Sequence, residues 1–148
     1  LQRGFKGIGY HFVIRNGYPT YLDWHKKNLI VDQVGLIEKG RPLNADEWLQ
    51  ANECGAHALG FNSESIGICL IHNNSDSYNL LQLESYRKLT TGLALHFNVS
   101  VENIKGHYEV EPRKPLCPAL NMNDERIILK NCIKLRPEFE KFALQYLK

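Results

Sequence analysis

No stretch of this chain is apolar for long enough to cross a bilayer as a helix, and no charged-then-apolar leader opens it. Basic residues are not massed either. Eighteen Lys and Arg stand against 16 Asp and Glu, a formal net charge of +2 with the two signs interleaved, so there is no electrostatic footprint for nucleic acid. Cysteine is sparse: Cys54, Cys69, Cys117 and Cys132 form no Cys-x-x-Cys pair, which sets aside a disulfide framework. The single methionine is Met122 and the chain opens at Leu1, so the expectation is that a segment precedes it in the natural polypeptide. None of these features selects a compartment or an oligomeric state.

What is present suits one folded domain. The 148 residues are 43% hydrophobic, enough for a core, and no repeat or linker divides them. Residues 8–14 alternate as a strand does and run into Asn16-Gly17, a pair suited to a turn. Alternation puts Ile8, Tyr10, Phe12 and Ile14 on one face and His11 on the other. Residues 18–32 read as a surface excursion or short helix, and 36–42 as a returning strand. Small and polar residues dominate 44–62, which suits an irregular loop lining a cleft. The apolar run 65–71 predicts a strand covered on both faces, with Cys69 as a small buried hydrophobe.

Asn79 with Gln82 three residues later, then Tyr86, Leu89, Leu93 and Phe97 at helical spacing, predict a helix over 79–97. Residues 104–110 read as a short strand delivering His107. Asn121 caps a helix through Leu129, and Phe139, Phe142, Ala143 and Tyr146 mark a final one after Pro137. Strands alternating with helices give an α/β class. The imidazole of His107 and the thiol of Cys117, ten positions apart across a proline-punctuated stretch, can both reach one zinc ion. A catalytic zinc takes about three protein ligands, so a further one is needed.

Five ordered blocks carry a family resemblance: Ile8-Gly9-Tyr10-His11-Phe12, Glu38-Lys39-Gly40-Arg41, Gly55-Ala56-His57-Ala58-Leu59-Gly60-Phe61-Asn62, Ser65-Ile66-Gly67-Ile68-Cys69-Leu70, and Gly106-His107-Tyr108-Glu109 up to Cys117-Pro118. Together they resemble the type 2 N-acetylmuramoyl-L-alanine amidases, the group that contains phage lysozyme-type amidases and peptidoglycan recognition proteins, over roughly Gly4 to Arg126.

The resemblance implies a single α/β domain over 1–148, with a mixed central sheet flanked by helices and residues 133–148 as a helical extension. It also implies a zinc ion (Zn²⁺) in a groove for bacterial peptidoglycan, and hydrolysis of the amide between N-acetylmuramic acid and L-alanine. The alternative is a peptidoglycan-binding module without catalysis. By resemblance His107 and Cys117 are metal ligands and Tyr10 assists catalysis. Lys114 is the nearest basic group to the family's lysine position, which here is Pro115. Arg113, His57 and Asn62 are candidate substrate contacts. The family's first zinc ligand lies on a strand upstream of the Tyr10 block, so the expectation is a chain without that strand, and His11 is expected to point away from the face that carries Tyr10.

Overall fold

The computed structural model describes residues 7–73 and 77–147, so the opening of the resemblance at Gly4 lies outside the described residues. Strand β1 (Phe12–Asn16) is the middle of a three-stranded sheet in the order β2-β1-β3. Strand β2 (Val34–Lys39) pairs antiparallel with it, Ile14 opposite Ile37, and β3 (Ile68–Leu70) pairs parallel, Ile14 opposite Leu70. The sheet is therefore mixed. Between β1 and β2 the chain makes an excursion that contains the short helix α1 (Tyr21–His25) and a 3₁₀ turn at Val31–Gln33.

The β-branched and aromatic residues of β1 bury Phe12 and Ile14 almost completely. Helix α2 (Leu80–His96) covers β1 and β2. It starts where the sequence indicates: the Asn79 side chain accepts from Leu81 N at 2.8 Å, and Gln82 Oε1 accepts from Asn79 N at 3.1 Å. Tyr86, Leu89 and Leu93 are buried in one core with Phe12, Ile14 and Ile37. The short helix α3 (His107–Val110) follows, then α4 (Met122–Leu135) and α5 (Phe139–Leu144), the last two packed on α2. Asn121 Oδ1 caps α4 by accepting from Asn123 N and Asp124 N. Arg87 on α2 and the buried Glu125 on α4 share two hydrogen bonds of 2.8 and 3.1 Å.

Three expectations change. The first strand begins only at Phe12, because Gly9 O, Tyr10 O and His11 N are drawn into bonds with Ala56 N, Arg41 N and Gly67 O, which bend residues 9–11. The apolar run 65–71 yields a strand only at Ile68–Leu70, half-buried and last in the sheet order, not covered on both faces. Residues 104–110 hold a helical turn in place of a strand: Glu109 accepts from Gly106 N at 2.6 Å, and Glu111 N closes on His107 O at 2.8 Å.

Helices α2 and α5 pack tightly at Gly92, where a β-carbon would collide with the Phe139 carbonyl and the Ala143 methyl. Gly92→Ala is therefore expected to destabilise the protein by about 1–3 kcal/mol through overpacking, read as a lower urea midpoint with an unchanged slope.

Candidate functional site

The site is assembled by two local constructions. The first centres on His11, which is fully buried. Its Nδ1 accepts from Gly67 N at 3.0 Å and its Nε2 donates to Glu53 O at 2.6 Å, so both ring nitrogens are used. These bonds fasten the ends of the 53–67 loop to the start of β1. Within that loop Asn62 Oδ1 accepts from His57 N and Ala58 N at 2.8 and 2.9 Å.

The His57 ring then lies between the backbones of Gly55 and Gly67, so close that a β-carbon on either would overlap it. It stacks on Tyr10 with ring centroids 5.7 Å apart and meets the edge of His11 at the same separation. The expectation that His11 faces away from Tyr10 does not hold, because both rings flank His57. What keeps His11 from ligating a metal is its pair of backbone bonds.

The second construction presents His107. Glu109, two residues on, receives Arg126 of α4 through bonds of 2.8 and 3.0 Å, and the same guanidinium donates to Ile104 O at 2.9 Å. Tyr108 hydroxyl accepts from Met122 N at 3.2 Å. Tyr108 N donates to Cys117 O at 2.7 Å, which closes the segment 108–117 into a loop and seats Cys117 beside the turn that carries His107. Glu109, Arg126 and Tyr108 were not singled out from sequence. The available signal was a glutamate three residues after Gly106, the spacing of a helix start.

The electrostatics join the two constructions. Burial pushes the Tyr10 phenol up to about 12, helped by the nearby Cys69 and Cys117 thiols, so it stays protonated and can donate. Burial lowers His107, and the Lys114 charge lowers it further, leaving a neutral imidazole with a free electron pair. The Cys117 thiol is raised by the surrounding protein and pulled back by Lys114. His57 is lowered to about 4 by burial, then by His11, with His107 contributing. Its Nε2 is buried without a hydrogen-bond partner among the described residues.

Tyr10, His57, His107, Cys117 and Lys114 are thus electrically within one neighbourhood, and Cys69 belongs to it as well. Arg113 is exposed and its guanidinium is taken up by Glu111, at 2.8 and 2.9 Å.

A neutral imidazole and a thiol are the donor types zinc prefers, and on donor chemistry the pair fits. Among the described residues, however, no group of three or more His, Cys, Asp and Glu side chains is placed to hold a metal ion.

The N-acetylmuramoyl-L-alanine amidase family profile matches residues 2–119. The endolysin of Escherichia phage T7 is 28% identical over 127 residues, 82% of this chain and 65% of that protein, and the endolysin of Klebsiella phage KP32 is 25% identical over the same shares. The chain thus spans just under two thirds of the length of these curated relatives. Among solved structures, N-acetylmuramoyl-L-alanine amidase LysC from Clostridium intestinale URNW superposes with a TM-score of 0.61 at 30% identity, over 89% of this chain and 70% of that one.

His57 and His11 both sit below the ordinary histidine value of 6.5 in the folded protein, so the unfolded chain binds more protons in the window between. Stability is expected to fall as pH drops from about 6.5 toward about 4. Thermal unfolding across that range should show a falling Tm, and His57→Gln should flatten the slope.

Proposed function

The chain belongs to the N-acetylmuramoyl-L-alanine amidase family, and from that premise we propose that it hydrolyses the amide between N-acetylmuramic acid and L-alanine in bacterial peptidoglycan, with zinc as cofactor. The observation that supports this reading is the Tyr108 N to Cys117 O hydrogen bond of 2.7 Å, which ties the backbone at Cys117 to the turn that carries His107. Zinc, when bound by His107 and Cys117 with a further ligand, supplies Lewis acidity and a water acidified toward neutrality.

The chain's own groups do the rest. Tyr10, held protonated, donates a hydrogen bond to the carbonyl oxygen as negative charge gathers on it. Lys114 adds a positive field from the exposed 112–116 loop, where its charge already acts on His107 and Cys117. His57, clasped between two glycines, gives the substrate-facing surface beside Tyr10 a fixed shape. Asn62 acts through the loop it braces, and Arg113 offers a contact at the rim. A second reading, a peptidoglycan-binding module without hydrolysis, is favoured by the two-donor set, since a catalytic zinc takes about three protein ligands.

Digestion of purified cell wall by the zinc-supplemented chain separates the readings. The amidase reading expects new L-alanine amino termini without new reducing sugar ends, a rate lowered by about a hundredfold in Tyr10→Phe, and no measurable release by His107→Ala or Cys117→Ala. Retained wall binding with no new amino termini would transfer the assignment to the binding module.

A further inference from the structure

Strand β2 ends on Lys39, opposite Phe12 in the sheet register, so these two side chains share a face. Just beyond it, Gly40 N donates to His11 O and Arg41 N donates to Tyr10 O, each at 2.8 Å, which docks residues 39–41 on the entry to β1. Only glycine fits at position 40, where a β-carbon would collide with the Tyr10 carbonyl oxygen. After α5 the Tyr146 ring returns to meet Phe12 edge-on, with centroids 6.4 Å apart. Together these segments enclose a cavity of about 220 Å³, lined by Phe12, Lys39, Arg41, Leu43 and Tyr146 with His11 as one wall. Tyr10, His57, His107 and Cys117 do not line it.

The polar groups of this cavity are cationic and unengaged. Arg41 Nε is buried with no hydrogen-bond partner, and neither Arg41 nor Lys39 enters an ion pair, among the described residues. A buried guanidinium N–H without an acceptor is costly, so its place in the wall calls for an acceptor that arrives from outside. The neighbouring acids are already occupied: Glu38 pairs with Arg15 at 3.1 Å, and Glu53, whose carbonyl holds His11, accepts from Asn44 N and Gln50 N at 2.8 Å on its two carboxylate oxygens. Burial raises the Tyr146 phenol, which keeps it a donor. Two free positive charges match a phosphomonoester, which carries about −1.5 to −2 at neutral pH, whereas a carboxylate or a phosphodiester brings a single negative charge. The volume exceeds that of a bare phosphate ion and falls below the roughly 300–1,000 Å³ of sites for drug-sized ligands, and the apolar lining suits a short carbon chain attached to the phosphate.

We propose that this cavity is a binding site for a small phosphomonoester, its phosphate held by Arg41 and Lys39 and its carbon chain laid against Phe12 and Leu43. Because His11 forms one wall, the ligand sits beside the imidazole that fastens the 53–67 loop, and it stabilises the folded chain by binding that state alone. The inference does not depend on the amidase reading, and its test needs no turnover.

The probe is glycerol 3-phosphate, titrated into the full chain by NMR at fixed ionic strength. The expected result is saturable shifts at residues 39–43 and at the His11 and Tyr146 rings, with binding weakened about tenfold in Arg41→Gln and in Lys39→Gln and not displaced by acetate at equal concentration. Lys39 is exposed, so its variant keeps the test open should Arg41→Gln unfold more readily. Absence of binding, undiminished binding by the folded variants, displacement by acetate, or shifts centred on His107 would overturn the assignment. Sedimentation with phosphatidylcholine vesicles that contain phosphatidic acid identifies the source: capture that is lost in Lys39→Gln upholds the site with a lipid headgroup as its ligand, and no capture alongside glycerol 3-phosphate binding upholds it with a soluble one.

Discussion

The arrangement of the site depends on one buried imidazole. His11 accepts a hydrogen bond from Gly67 N and donates one to Glu53 O, so a single side chain ties the entry to β1 to both ends of the loop that carries His57. A buried ring with both nitrogens bonded to backbone is stable only as one neutral tautomer, here with the proton on Nε2. Burial and the Arg41 charge both disfavour the imidazolium. Protonating Nδ1 would set two N–H groups against each other at Gly67, and the loop would lose the contact that seats His57 between Gly55 and Gly67.

The other half of the site is held independently. Arg126 on α4 clamps Glu109 and the Ile104 carbonyl, while Tyr108 binds the start of α4 through its hydroxyl and Cys117 through its amide. Tyr108, Glu109 and Arg126 therefore hold the turn that carries His107 in place. The candidate residues ride on short irregular segments, and the rigidity comes from helices and a sheet behind them.

How much of this could be read from the residues varied with range. The helix at Leu80–His96 was legible to its caps, because Asn79 and Gln82 act within one turn of each other. The α/β class was legible from pattern and resemblance. The turn at His107–Val110 was not, since Ile104 to Val110 alternates well enough to pass for a strand and the deciding partner, Arg126, is 17 residues beyond Glu109. Strand periodicity likewise misplaced His11, because the bonds that bend residues 9–11 come from Arg41, Ala56 and Gly67. Cys69 looked like plain core and instead stands half-buried where its thiol influences Tyr10. For residues 9–11 the missing information was a set of long-range backbone partners, and for the turn at His107–Val110 a distant side chain, neither of which a local window contains.

The state of the His11 ring tests the account where it is most exposed. Nitrogen-15 NMR of the imidazoles should show His11 as the neutral Nε2–H tautomer at pH 6.5, with Nδ1 hydrogen-bonded as an acceptor and a titration midpoint below the ordinary value. A His11 that titrates near 6.5, or carries its proton on Nδ1, would contradict the scaffold from which the site is built.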